Sequence, residues 1–173
     1  VRTVKERLPW LFLGMGGGFL TALVMSGFEE SLTSVPQVAY FVPLIAALGG
    51  SIGIQSSSIV VRGLATGAIG TGDLFSRMWR ELRVGFLSGL ACALMLGIMT
   101  LLISGEIGIS ITTPIALLLV LCFATVIGSS VPILLKRLEI DPALATGPFI
   151  TTMNDIIGVS IYLYITFQAG SWF

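Results

Sequence analysis

Asp155 is the residue that most demands chemistry. It lies inside an apolar run, roughly Pro148–Phe167. A carboxylate within a membrane helix costs ~2.5–3.5 kcal/mol on insertion scales, so it needs a partner, water or an ion. Gly147, Thr151, Asp155, Gly158 and Tyr162 recur at helical spacing and form one stripe of polar or small residues, flanked by Thr152 and Asn154. The stripe suits a path for an ion or polar substrate. A buried aspartate paired with Arg62 or with backbone amides fits the same residues. Asn154 suits a hydrogen bond to a neighbouring helix equally well.

A second polar cluster runs Gly49-Gly50-Ser51-Ile52-Gly53-Ile54-Gln55-Ser56-Ser57-Ser58. Ser51, Gln55 and Ser58 share one helical face. Glycine and serine in succession loosen a helix and let backbone carbonyls face a cavity. Polar contacts between helices would account for the same residues. Gly49 to Gly53 also matches the G-x-S-x-G nucleophile pattern, but that pattern needs a strand-turn-helix setting and a base. The chain has no histidine. An intramembrane aspartyl protease needs two carboxylates sharing a site, and Asp155 is the acidic residue that the apolar runs supply. Enzyme chemistry is therefore not expected. Cys92 and Cys122 lie in apolar runs, where cysteine acts as a small hydrophobe.

The elements that must position these residues follow from composition. Of 173 residues, 55% are hydrophobic and only 10% are charged, against roughly 25% charged in a soluble domain. Lipid must cover part of this surface. A membrane-spanning helix needs ~20 apolar residues, and five runs qualify: roughly Pro9–Phe28, Val38–Val61, Val84–Ile103, Pro114–Leu135 and Pro148–Phe167. The fold expected is all-α, an integral membrane bundle of five helices, with residues 1–173 as a single transmembrane domain. Leu11–Phe28 is too long and glycine-rich for a signal peptide and reads as a true span. The chain opens at Val1 without Met and reads as an excised or mature fragment.

Charge orients the bundle. The 9 basic residues are Arg2, Lys5, Arg7, Arg62, Arg77, Arg80, Arg83, Lys136 and Arg137, and all fall on one side of the five-span layout. The other side carries Glu29, Glu30 and Glu106. The positive-inside rule places the N-terminus in the cytoplasm and the C-terminus outside. The location expected is a multi-pass cell membrane, the inner one in a bacterium. No basic tract stands apart from the membrane flanks, so nucleic acid is not an expected partner.

Depth joins the two polar clusters. Ser51 lies ~16 Å of helix from the basic end of its run, and Asp155 lies ~10 Å in from the start of its own. They can meet in the inner half of the bilayer. Asp73–Arg83 reads as a short helix along the cytoplasmic surface. Asp73/Arg77 and Arg77/Glu81 are i,i+4 pairs, and Leu74, Phe75, Met78, Trp79 and Leu82 form an apolar face. Asp141-Pro142 is a helix-start signal, and Thr146-Gly147-Pro148 breaks the chain before the last run. Gly14/Gly18, Gly49/Gly53, Gly63/Gly67 and Gly85/Gly89 have the spacing that lets helices approach closely in lipid.

The run from Pro43 through Gly49-Gly50-Ser51-Ile52-Gly53-Ile54-Gln55 to Val61-Arg62-Gly63 resembles the MgtE magnesium transporter/channel family. So do Trp79-Arg80-Glu81-Leu82, Pro132–Arg137, Ile140-Asp141-Pro142-Ala143 and Pro148–Gly158 with its Thr151-Thr152-Met153-Asn154-Asp155 core. The resemblance implies a homodimer with an ion path between its membrane domains, lined by the second and fifth spans. It implies that Asp155 binds the ion, with Gly49, Gly50 and Ser51 at the position of the family's Gly-Gly-Asn motif. The chain departs from the family in having Ser51 where asparagine is usual and Ile54 where a polar or small residue is usual.

The chemistry agrees with that resemblance. Mg²⁺ is a hard ion that prefers oxygen ligands and keeps its water. Asp155, Thr151, Ser51 and Gln55, with the backbone at Gly49 and Gly50, offer oxygen donors. The expected cargo is a hydrated divalent cation, Mg²⁺ first, with Mn²⁺, Co²⁺ or Ca²⁺ as substitutes. The expected partners are a second copy of the chain and membrane lipid. A Na⁺- or H⁺-coupled secondary transporter using Asp155, and a membrane scaffold without transport, are the rival readings.

Overall fold

The computed structural model describes every residue except 1, 71, 73, 146 and 171–173. Its elements in chain order are α1 (Arg2–Ser26), the short α2 (Glu29–Ser34), α3 (Gln37–Ala65), α4 (Leu74–Ser104), α5 (Ile107–Arg137), a 3-10 turn (Pro142–Ala145) and α6 (Pro148–Gly170). Five of these, α1, α3, α4, α5 and α6, are long and apolar enough to cross a membrane. In such a setting, helices associate through close packing and polar contacts, because lipid is as apolar as leucine.

α5 is the centre of the bundle. Its Ala116, Leu117, Val120 and Leu121 are almost fully buried, and they cluster with Val38, Phe41 and Ile45 of α3 and Val159, Tyr162 and Leu163 of α6. α4 lies along α5, and α3 and α6 pack on α5 and on each other. α1 leans on α6, with most of its surface outside the protomer. Leu11, Phe12, Met15, Phe19 and Leu23 are all exposed there, as expected for residues that face lipid or another subunit.

Glycine sets how closely these helices cross. A Cβ on Gly85 would stand 3.1 Å from the Cα of Cys122, and one on Gly89 would stand 2.8 Å from Leu118 Cδ1. This pair thus packs α4 on α5, as expected. Gly14 and Gly18 have nothing within 4 Å of such a Cβ. The packing expectation therefore fails for them within the protomer. The contact of α1 with α6 runs instead through Gly17, whose added Cβ would overlap Thr152. Gly63 packs on Ile69, and Gly67 has φ +73°, so this pair serves the turn after α3 rather than a helix crossing.

The connection between α3 and α4 also differs from expectation. Leu74 to Arg83 is not a separate surface helix but the first turns of α4, continuous with the span. No glycine or proline occurs between Leu74 and Arg83 to break it. Asp73 lies outside the described residues. The Arg77–Glu81 pair forms, at 2.6 Å. Phe75 and Trp79 face outward, and Arg83 stacks over the Trp79 ring at 5.5 Å. Before α6, Asp141 Oδ1 accepts a hydrogen bond from the Ala143 amide at 2.9 Å. Gly147 follows with φ +75°, a conformation glycine adopts without strain, and α6 begins at Pro148.

Candidate ion path at the face of α3 and α6

α3 and α6 approach each other at glycines. A Cβ on Gly50 would stand 3.3 Å from Thr151 Cγ2, and one on Gly49 would stand 4.0 Å from Asn154 Cβ and 3.2 Å from Val120 Cγ1 of α5. A Cβ on Gly53 would stand 2.8 Å from Ile150 Cγ2 and would overlap the Asn154 amide. On its other side, Gly53 meets Gly128 of α5, whose added Cβ would stand 3.0 Å from the Gly53 Cα. Three helices cross here with almost no side chain between their backbones.

This crossing brings together Gly49, Gly50 and Thr151 at one level. Gly49 and Gly50 are buried in the crossing. Ser51 and Gln55 lie on the exposed face of α3, while Thr151 and Asp155 are half-buried on α6. Thr151 Oγ1 donates to the Gly147 and Pro148 carbonyls at 3.2 and 3.0 Å. It thus caps the broken start of α6 while its oxygen stays available to accept. Asp155 directly follows the Asn154 that fills the Gly53 notch.

The expected α6 stripe divides. Thr151 and Asp155 lie toward the protomer surface, but Gly158 and Tyr162 point inward. Gly158 packs on Val120, with an added Cβ at 3.1 Å. Tyr162 is fully buried, and its hydroxyl donates to the Val38 carbonyl of α3 at 2.9 Å. Asn154 lies within the crossing, 1% exposed, and neither of its amide atoms makes a hydrogen bond to protein.

A second carboxylate inside a span escaped the sequence reading. Glu81 of α4 is 4% exposed. It pairs with Arg77 and accepts a hydrogen bond from Ser56 Oγ of α3 at 3.0 Å. The charges at 77, 80, 81 and 83 suggest a surface helix. The unbroken helical register into Gly85 was the signal that they belong to the span. Among the described residues, no group of three or more His, Cys, Asp or Glu side chains gathers to hold a metal. A hydrated ion needs few direct protein ligands.

A bundle of five membrane-crossing helices, with a polar face on two of them and a half-buried carboxylate, defines a multi-pass membrane protein built around a polar site. A family profile described as a divalent cation transporter, MgtE, matches residues 42–165. The magnesium transporter MgtE of Bacillus subtilis is 34% identical over 160 residues, covering 92% of this chain and 36% of that protein. That of Thermus thermophilus is 34% identical over 166 residues, 92% of this chain and 35% of its own length. That of Enterococcus faecalis is 30% identical over 165 residues, 95% of this chain and 36% of its own length. The chain belongs to the MgtE family. It spans about a third of the length of the curated relatives it matches.

Proposed function

We propose that this chain is the membrane-spanning path of a divalent-cation transporter, with Mg²⁺ as its cargo, and that it works as a homodimer. The observation that carries the reading is Asp155, a half-buried carboxylate within a span, at the level where α3 and α6 cross on glycines. A carboxylate at the edge of a bundle cannot face acyl chains without a large cost. A second copy covering this edge would enclose Asp155, Thr151, Ser51 and Gln55 from both subunits around one water-filled path. Two facing carboxylates repel unless a cation lies between them, so the ion completes the site.

The chemistry favours a hydrated ion. Mg²⁺ surrenders its water reluctantly and favours an octahedral oxygen shell. Asp155 carboxylates would accept hydrogen bonds from that shell, and the side-chain oxygens of Thr151, Ser51 and Gln55 would accept others; α3 runs unbroken through its glycine-rich stretch, so its carbonyls stay in the helix. Ser51 has a shorter reach than an asparagine amide, which opens the site to other divalent ions. The basic end of the bundle lies in the cytoplasm, so Asp155 stands in the cytoplasmic half.

The test is calorimetric titration of Mg²⁺ into purified wild-type and Asp155→Asn protein, with cation uptake into vesicles measured alongside. Asp155→Asn keeps the shape and removes one charge per subunit. Affinity should fall at least ~10-fold, or ~1.4 kcal/mol, while the fold survives. Unchanged affinity and uptake in a folded variant would make Asp155 a structural group and end this assignment.

A further inference from the structure

Hydroxyls in these spans mostly turn back onto their own helix. Thr21, Thr125, Ser130, Thr151 and Ser160 each donate to a carbonyl three or four residues earlier. Ser56 differs. Its Oγ donates at 3.0 Å to Oε2 of Glu81 on another helix. The other oxygen of that carboxylate, Oε1, pairs with Arg77 Nη2 at 2.6 Å. Both oxygens of one buried carboxylate are thus engaged, one by its own helix and one by α3.

Place gives this bond its meaning. α4 packs along α5 and meets α3 only sparsely. The Ser56–Glu81 bond joins them. On α3, the buried face between Gly53 and Val60 offers only Ser56 and Ser57, and Ser57 Oγ has no hydrogen-bond partner. The bond to Glu81 is therefore the directional contact on that stretch. Ser56 also follows Gln55, which lies on the exposed candidate path face, one turn beyond Ser51. A helix turns as a unit, so whatever fixes Ser56 fixes Gln55.

We propose that Glu81 is a positioning residue for the ion path: through Ser56 it sets the rotation of α3 and so the placement of Gln55 and Ser51. A buried ion pair is a poor source of stability, because apolar side chains of similar volume often serve as well or better. A charge-assisted hydrogen bond does supply fixed direction. That trade suits a helix whose glycines at 49, 50 and 53 leave few side chains to key its register. The inference rests on the proposed cation path, and the experiment separates the two.

Wild type, Asp155→Asn, Ser56→Ala, Ser56→Thr and Glu81→Gln are reconstituted in vesicles, and Mg²⁺ uptake is followed against Mg²⁺ concentration, with thermal unfolding in parallel. Ser56→Ala removes one hydroxyl. It should raise the half-saturating Mg²⁺ concentration roughly 3-fold or more, a change in the interaction with the ion rather than in the amount of folded protein. Ser56→Thr retains the hydroxyl and should restore the wild-type value. Glu81→Gln should shift in the same direction as Ser56→Ala. If it does not fold, Ser56→Ala alone decides. Wild-type half-saturation in Ser56→Ala, with or without a lower melting temperature, makes the bond a structural strap and overturns the proposal. Absence of uptake by wild type, or full uptake by Asp155→Asn, overturns the underlying cation path instead, and this inference with it.

Discussion

The crossing of α4 on α5 and the crossing of α3 on α6 use the same device for different ends. In the first, Gly85 and Gly89 let α4 settle against Cys122 and Leu118. The polar group at that contact is already satisfied, since Thr125 Oγ1 bonds to the Leu121 and Cys122 carbonyls at 3.1 and 2.9 Å. The outer face of α4 is apolar, with Leu87, Leu94 and Ile98 exposed. In the second, Gly49, Gly50 and Gly53 give an equally close approach, but the residues around it are polar. Asn154 is buried without a hydrogen bond, Asp155 is half-buried, and Ser51 and Gln55 lie open. Glycine supplies proximity in both places. Glu81, one turn before Gly85, is costly in a membrane too, but its oxygens are engaged by Arg77 and Ser56; the second crossing leaves polar groups without such partners, and that excess is the mark of a site.

The largest effects should come from filling either crossing. Gly128 faces the backbone of Gly53, and Gly85 faces the backbone of Cys122, so neither neighbour can move aside as a side chain would. Gly128→Leu and Gly85→Leu should each destabilise by about 3 kcal/mol or more. The check is recovery of monodisperse protein in detergent, with thermal unfolding. A folded Gly128→Leu chain of wild-type stability would mean that α3 and α5 are further apart than described.

A smaller effect, of opposite sign, should distinguish the two crossings. The Asn154 amide has no protein partner, and an unsatisfied buried polar group costs about 1–3 kcal/mol. Asn154→Val, apolar and closer in volume to asparagine than leucine is, should therefore leave stability unchanged or raise it by up to about that amount. Thr125→Val at the other crossing removes a satisfied hydroxyl and should lower stability by roughly 0.5–1.5 kcal/mol. Unfolding of both variants under one denaturant series gives the comparison. Loss of stability in Asn154→Val would mean that the amide is satisfied in the folded protein, and the contrast between the crossings would weaken.

Tyr162 offers a third measure. Its hydroxyl joins α6 to the Val38 carbonyl of α3, away from the polar face. Tyr162→Phe removes that bond and should cost about 1 kcal/mol, read as a lowered unfolding midpoint with unchanged Mg²⁺ affinity. A changed affinity would extend the site's reach along α6.

Most of the helices were legible in the sequence, and the residues of the candidate site were singled out there for reasons that differ by residue. The five spans follow from run length, and the break before α6 follows from Asp141-Pro142 and Gly147. Asp155 stood out because a lone carboxylate in an apolar run has few innocent explanations. Glu81 did not, because its neighbours Arg77, Arg80 and Arg83 gave it the look of a surface residue. Burial of one face of a helix beginning is a tertiary property that local charge density disguises. The inward turn of Gly158 and Tyr162 was hidden for a related reason. A helical stripe identifies a face, but not which neighbour covers each stretch of it. Spacing likewise failed for α1, where Gly14 and Gly18 have the right separation while Gly17 makes the contact.

The smallest expected effect lies in that same glycine run and tests how far the comparison extends. Gly17 packs on Thr152 of α6, next to the Asn154 and Asp155 level, whereas Gly14 and Gly18 point away from the protomer. A stripe through Gly17, Thr21, Val24 and Met25 is the more buried face of α1. Leu at position 17 would force α1 off α6. Leu at 14 or 18 meets no atom of this chain, so Gly14→Leu and Gly18→Leu should each change protomer stability by no more than about 0.5 kcal/mol. Removing glycine from a helix interior can only favour the helix, by up to about 1 kcal/mol in isolated helices. The measurement is thermal unfolding together with particle mass in detergent for all three variants. Equal damage from all three would show that the face bearing Gly14 and Gly18 is packed rather than open. Intact unfolding with a changed mass for Gly14→Leu and Gly18→Leu would assign that face to a second copy of the chain, and would locate part of the proposed dimer contact on α1 as well as along the polar face of α3 and α6.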